Sequence, residues 1–159
     1  DREALNLVPL VREHVDLYQA QATEKSILLT IGAATEEDIQ VVANRNNMGE
    51  VLSNLISNAI RYTPEKGQIT VWADQDEEYV RLYVEDTGLG IAEDALDEIW
   101  DKFFRVKNEK TRFINGTGLG LAIVKRIVDG HHGNIKVDSQ EDKGTRFTVR
   151  LPKTAYPVS

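Results

Sequence analysis

The glycine run Gly116-Thr117-Gly118-Leu119-Gly120-Leu121 passes straight into the apolar helical pattern Ala122-Ile123-Val124-Lys125, and this junction limits what the chain can fold into. A helix N-terminus presents unpaired N–H groups and the positive end of its dipole, so a phosphate can sit there. The spacing Gly-X-Gly-X-Gly is not the dinucleotide pattern Gly-X-Gly-X-X-Gly, and it follows an irregular segment instead of a strand. No Gly-X4-Gly-Lys-Ser/Thr occurs anywhere, which excludes a P-loop.

Two other segments carry chemistry. Glu50, Asn54 and Asn58 are spaced i, i+4, i+8, which places them on one helix face, with Arg61 three residues further on. Val51, Leu52, Leu55, Ile56, Ala59 and Ile60 supply that helix with a buried stripe. Asn is a poor helix former, because its side chain competes for backbone hydrogen bonds. An amide oxygen beside triphosphate oxygens suits Mg²⁺, a hard ion that takes oxygen ligands and keeps waters. Arg61 can neutralise phosphate, and Glu50 can accept a proton or orient an imidazole. The same spacing also suits a solvated helix face. In the second segment, Val80 to Glu85 alternates as a strand and stops at Asp86-Thr87-Gly88-Leu89-Gly90. A buried carboxylate there can accept a hydrogen bond from an exocyclic amine, as adenine has and guanine lacks at that position. Gly88 and Gly90 allow a tight turn with room for a flat ring. A plain Asp-Gly turn is the alternative. Glu85 and Asp86 point to opposite faces, so they do not make a hydrolytic carboxylate pair.

Between the last two segments lies Phe103-Phe104-Arg105, followed by Lys107, Lys110 and Arg112 in an otherwise acidic chain of net charge −7. This aperiodic basic stretch reads as a mobile lid over phosphates, or as a solvated loop. Phe103 and Phe104 anchor its base or belong to the core. The acidic balance argues against nonspecific nucleic-acid binding. With no cysteine, the chain has no disulfide framework and no thiolate metal site, which favours an intracellular setting. No apolar run reaches the ~20 residues of a membrane helix. No signal peptide is visible, and the chain reads as a piece of something longer. His14, His131 and His132 lack metal spacing; His131 and His132, at a helix end, read as capping or surface residues, and His14 reads as an ordinary residue of the first helix instead of a phosphorylated one.

The periodicities predict an α+β layout from one domain of 159 residues. Strands are expected over 4–8, 27–31 and 39–43, and a first helix from Pro9. The helix capped by Asn46 or Asn47 runs to about Tyr62. Hairpins are expected over 68–85 and 134–151, one or two short helices over 93–101, and a helix over 118–131. Gly133 is expected to take a left-handed cap conformation. The single domain is expected to span 1–152, with a loose tail over 153–159.

Taken together, Glu50 to Arg61, Asp86-Thr-Gly-Leu-Gly90, Trp100-Asp-Lys-Phe-Phe-Arg-Val106 and Gly116 to Ala122 resemble the N, G1, F and G2 boxes of the catalytic and ATP-binding domain of bacterial sensor histidine kinases. That family shares its fold class with DNA gyrase, Hsp90 and MutL. The resemblance extends from about Leu7 to Pro152. It implies a two-layer α/β sandwich, the Bergerat fold, with a mixed, mostly antiparallel five-stranded sheet, about three helices on one face and a mobile ATP lid. It implies that Asn58 ligates Mg²⁺, that Asn54 and the Gly116–Leu121 run lie at the phosphates of ATP, and that Arg105 reaches the γ-phosphate. Arg61 stands where the family often has Lys, which keeps the charge and changes the geometry. Tyr62 and Ile91 are implied at the adenine, Asp86 at its amine, and Thr145 as a helper through water. Glu50 occupies the place of the general base in ATPase members, where many histidine kinases carry another residue. The phosphoacceptor pattern His-Glu-Leu-Arg-Thr-Pro is not found in the chain.

The implied activity is that of an ATP-dependent protein-histidine kinase acting on a histidine of a separate dimerisation helix domain. A response regulator is the onward partner and no nucleic acid is involved. The fragment is expected to be monomeric and cytoplasmic, its parent free or anchored in the inner membrane. A serine kinase of the anti-sigma type, an ATPase of the same fold, and a nucleotide-binding module without chemistry are the competing readings.

Overall fold

A computed structural model describes residues 1–32, 38–101, 104 and 120–154. In chain order these form β1 (Glu3–Asn6), α1 (Leu7–Glu24), β2 (Leu28–Ile31), β3 (Gln40–Ala43), α2 (Arg45–Tyr62), β4 (Gln68–Gln75), β5 (Tyr79–Asp86), a single 3₁₀ turn (Glu93–Ala95), α3 (Gly120–Gly130), β6 (Asn134–Gln140) and β7 (Gly144–Pro152). The main sheet has the order β2-β4-β5-β7-β6, and β1 pairs with β3 in a small separate ladder. Only β2–β4 is parallel; the other three pairings of the main sheet are antiparallel.

Strict alternation sorts the sheet into two faces. Ile69, Val71 and Ala73 of β4, Val80, Leu82 and Val84 of β5, and Phe147, Val149 and Leu151 of β7 are buried. They form one core with Val11 and Val15 of α1, Val51, Leu55 and Ile56 of α2, and Val124 and Val128 of α3. The helices thus cover one face only. The outer face is polar and pairs within itself. Arg81 bonds Asp74 at 2.6 Å and Asp76 at 2.7 Å, and Arg146 meets Glu85 at 2.8 Å. On the same face Trp72 stacks on Tyr83, with ring centroids 4.7 Å apart and planes 10° off parallel, and the Arg146 guanidinium lies 5.3 Å from the Trp72 ring centroid.

The element ends correct three expectations. β1 stops at Asn6, whose side-chain oxygen accepts the Val8 N–H at 3.1 Å and caps α1 at Leu7, where a strand to 8 and a helix from Pro9 were expected. The cap of α2 is Asn44, whose side-chain oxygen accepts the Asn47 N–H at 2.9 Å, and not Asn46 or Asn47, which lie inside the first turn. Asn44 holds the position because its extended backbone directly continues β3. α3 runs Gly120–Gly130, and the expected start at position 118 lies outside the described residues. At its end the left-handed residue is His132, with φ +59°, and not Gly133. Gly133 N–H donates to Val128 O at 3.0 Å and His132 N–H to Asp129 O at 3.0 Å, the paired bonds of a Schellman end. Gly133 is needed for close approach, since a side-chain carbon there collides with Arg150 O. Lys153, counted with the tail, is tied by backbone bonds to Val42 N–H and Glu78 O at 3.0 and 2.9 Å. Residues 155–159 lie outside the described part. No helix among the described residues is long and apolar enough to cross a membrane.

His131 joins the two helices that frame the site. Its Nδ1–H donates to Ile127 O at 2.9 Å, which leaves Nε2 to accept the Asn44 N–H at 3.1 Å. Burial lowers its pKa below the ordinary imidazole value, and Arg2 and His132 push in the same direction. A lowered pKa means stability that is complete above about pH 6.5 and is lost as pH falls below it. Melting temperatures of the wild type and His131→Gln, measured from about pH 8 to about pH 5, should therefore converge as the pH falls. A constant difference between them would exclude this role for the neutral imidazole.

Candidate functional site

The amphipathic pattern of α2 turns Asn54, Asn58 and Arg61 half-buried along one edge, with Glu50 exposed at its start. Glu50 and Asn54 border a groove of about 600 Å³ between α1, α2 and α3, shared with Leu10, His14, Ser53 and Ile123. His14 packs between α1 and α2. Its Nδ1–H donates to Leu10 O at 2.8 Å, and Nε2 lies against Gly49 of α2. A side-chain carbon at Gly120 would stand 3.1 Å from Asn54 Oδ1, so the last glycine of the run abuts the amide face. The N box and the start of α3 are thus neighbours.

The C-terminal end of α2 is held from two sides. Lys25 Nζ donates to Ile60 O at 2.7 Å and Arg61 O at 3.0 Å, satisfying carbonyls that the helix leaves open. Its pKa is lowered, first by burial and then by the Arg61 charge. From the other side Leu89 N–H donates to Tyr62 O at 3.1 Å. The Asp86–Gly90 loop is therefore fastened to the residue that the resemblance places at the base.

Asp86 is the last residue of β5 and only 7% exposed. It faces inward because β5 alternates and Val80, Leu82 and Val84 point the same way. Its Oδ1 accepts the Gly88 N–H at 2.8 Å, and the Thr145 N–H also bonds the carboxyl. Burial nevertheless pushes its pKa up to about 6; the two N–H groups pull it down and Glu85 pushes it up. An ionised carboxylate here is an acceptor with capacity beyond two N–H groups. Gly88 is where Tyr62 O, Asp86 Oδ1 and the Thr63 hydroxyl crowd a would-be side chain. Gly90 takes φ +71° against the β6–β7 turn, where Asp142 N–H donates to Leu89 O at 2.7 Å.

Thr145 sits across from Asp86 on β7, also 7% exposed. Gly144 before it has φ +127°, and a side-chain carbon there would strike Asp86 O. Ser139 Oγ on β6 lies 2.8 Å from Thr145 Oγ1 and accepts the Ile91 N–H at 2.8 Å. Ile91 itself is half-buried against the core. The structure thus brings Tyr62, Asp86, Gly88, Ile91 and Thr145 to one end of the α2–sheet interface, and Glu50, Asn54 and Gly120 to the other. Asn58, Arg61 and Leu121 belong to the same two helices. Trp100 packs edge-on against Phe147, centroids 6.0 Å apart, and Phe104 also packs on the core. Phe103, Arg105, Lys107, Lys110, Arg112, Gly116, Thr117, Gly118, Leu119 and the expected lid lie outside the described residues.

Three residues were not singled out from the sequence. Ser139 had a signal: it is polar at an inward position that continues Ile135 and Val137. Thr63 is fully buried, and its hydroxyl has no partner among the described residues; its place next to Tyr62 was the only hint. Lys25 had none, since its partners are backbone carbonyls. Among the described residues no three His, Cys, Asp or Glu side chains converge on a metal position. The oxygen-bearing face of Asn54 and Asn58 does fit Mg²⁺, which needs few protein ligands when phosphates supply the rest.

Residues 43–155 match the family model described as histidine kinase-, DNA gyrase B-, and HSP90-like ATPase. The sensor histidine kinase WalK of Bacillus subtilis (strain 168) is 38% identical over 154 residues, covering 96% of this chain and 25% of that protein. The chain thus spans about a quarter of the length of this relative. The solved catalytic domain of histidine kinase ThkA superposes with a TM-score of 0.84 at 30% identity, covering 98% of this chain and 99% of that one. ThkA has also been solved in complex with response regulator protein TrrA, with a TM-score of 0.80, 30% identity and coverage of 96% and 42%. Full-length ShkA in complex with AMPPNP gives 0.83, 27%, and coverage of 99% and 33%. The chain belongs to the family of histidine kinase-, DNA gyrase B- and HSP90-like ATPases, as an ATPase-type catalytic domain of the sensor histidine kinases.

Proposed function

We propose that this chain positions Mg·ATP so that a histidine on a separate dimerisation helix domain of the parent protein attacks the γ-phosphorus. The phosphoryl group then passes to an aspartate of a response regulator. The observation that carries the reading is the buried Asp86 carboxylate, set at the end of β5 next to α2, whose Asn54 abuts the first turn of α3. Phosphoryl transfer is mostly positioning and charge neutralisation, and these residues are suited to both.

Asp86 accepts the exocyclic amine of adenine, with Tyr62 and Ile91 against the ring and Thr145 beside the amine. By the resemblance, Arg61, Arg105 and the glycine run from Gly116 to Leu121 would serve the phosphates. Asn58 would hold Mg²⁺ with Asn54 near it, and a bound ion would supply neutralisation of the phosphate oxygens. Glu50, exposed at the groove, orients the incoming imidazole or takes its proton. The response regulator complex of ThkA and the AMPPNP complex of ShkA support the same reading for partner and nucleotide.

The test is calorimetric titration with a nonhydrolysable ATP analogue, with and without Mg²⁺, and a GTP analogue as control. Adenine-selective binding strengthened by Mg²⁺ is expected. No binding by a folded sample would exclude the reading. Asn58→Asp and Asp86→Asn should each abolish tight binding and keep the fold; unchanged affinity in either folded variant would refute its assignment.

Asp86 also gives two pH effects. Ionising it in the folded chain costs roughly 2–3 kcal/mol, because its pKa is raised to about 6. A raised pKa means stability that is complete below the ordinary carboxylate range and is lost as pH rises through about 6. Asp86→Asn should therefore melt several degrees higher than the wild type at neutral pH, and the gain should vanish near pH 4. Nucleotide affinity runs the other way: a protonated Asp86 donates where the base also donates. Affinity for the ATP analogue should fall as pH drops below about 6, and titrations at two pH values check this.

A further inference from the structure

The hydroxyl of Ser139 has one proton and three neighbours. It accepts the Ile91 N–H at 2.8 Å, stands 3.1 Å from Gly144 O, and 2.8 Å from Thr145 Oγ1. A carbonyl oxygen can only accept, so the bond to Gly144 O takes the Ser139 proton. The Ser139–Thr145 bond then has one possible direction: Thr145 donates and Ser139 accepts. The reverse order leaves Gly144 O without the hydroxyl proton. The chosen order satisfies all four groups.

The consequence falls on Thr145. Its proton is committed to β6, so its remaining capacity is that of an acceptor. Asp86 lies across from it in the β5–β7 register, and as a carboxylate it also only accepts. Asp86 and Thr145, the pair that ends the β5–β7 ladder, then both offer acceptors.

We propose that Ser139 is a specificity-determining positioning residue, which makes the Thr145 hydroxyl an acceptor and so biases the pocket towards a base bearing an exocyclic amine and against one bearing a carbonyl there. The inference rests on the reading of Asp86 as the adenine-binding residue and extends it to a residue one strand away. A site whose polar groups match one base strongly rejects the analogue that leaves them mismatched. Without Ser139 the Thr145 proton is free to turn inward and donate to a carbonyl.

The experiment titrates nonhydrolysable ATP and GTP analogues into the wild type, Ser139→Ala, Ser139→Thr and Thr145→Val, with melting curves for each. Ser139→Ala should narrow the ATP-over-GTP preference by about five- to tenfold. Ser139→Thr, which keeps the hydroxyl, should restore the wild-type ratio. A purely structural loss, such as the Ile91 N–H left without its acceptor, weakens both nucleotides together and leaves the ratio in place. An unchanged ratio in folded Ser139→Ala overturns the proposal. If that variant does not fold, Thr145→Val decides: a narrowed ratio supports the acceptor role, and an unchanged ratio overturns it. A wild type that binds the ATP analogue without preferring it overturns the adenine reading of Asp86. A wild type with clear preference and an unaltered Ser139→Ala ratio overturns only the role of Ser139.

Discussion

The register between β5 and β7 is the constraint on which the rest depends. Tyr79 pairs with Pro152 at one end of this ladder and Asp86 with Thr145 at the other. Side chains alternate with a period of two, so a slip of one residue would carry Val80, Leu82 and Val84 out of the core. It would carry Asp86 and Thr145 out of the site with them. The apolar residues therefore hold the polar pair in position. The same hydrophobic energy that closes the sheet on the helices, on the order of 1.5–3 kcal/mol per buried aliphatic side chain, also sets which two side chains end the ladder facing inward.

A polar end on an apolar face has a cost. Asp86 and Thr145 occupy positions where Val or Leu would pack without loss, and the carboxylate is desolvated with only two backbone donors to compensate it. The surrounding backbone is held accordingly. Gly90 and Gly144 take left-handed conformations so that the β6–β7 turn can lie on the Asp86 loop, and Tyr62 O fastens that loop to α2. Lys25 completes the frame by closing the open carbonyls at the end of α2. The site is thus built from the ends of elements, where backbone groups are available, and the elements themselves are ordinary core.

Most of the fold could be read from periodicity. The stripe of α2, the alternation of β4, β5 and β7 and the turns between them are strong signals over long segments. Helix ends were less legible. Asn44, Asn46 and Asn47 are equally good caps by residue type, and only the direction of β3 selects Asn44. Gly133 looked like a left-handed cap because glycine is favoured there, yet the crossing Arg150 backbone needs the missing side chain and His132 takes the strained turn. The site shows the same division. Asp86, Asn54 and Asn58 stand out because their chemistry is unusual at their positions. Ser139 and Lys25 act through hydroxyl order and backbone carbonyls, which depend on a neighbouring strand or helix far along the chain.

The placement of the two tryptophans has an optical consequence. Trp72 is stacked on Tyr83 beneath Arg146 on the solvent side of the sheet, whereas Trp100 meets Phe147 on the helix side. The two indoles are separated by the thickness of the sheet and have unlike surroundings: one lies against a cation and a phenol, the other against an apolar ring. The chain holds no third tryptophan. Its intrinsic emission is therefore the sum of two local reporters, one on the solvent side of the sheet and the other on the helix side at Phe147, and replacing either indole with phenylalanine isolates the signal of the other.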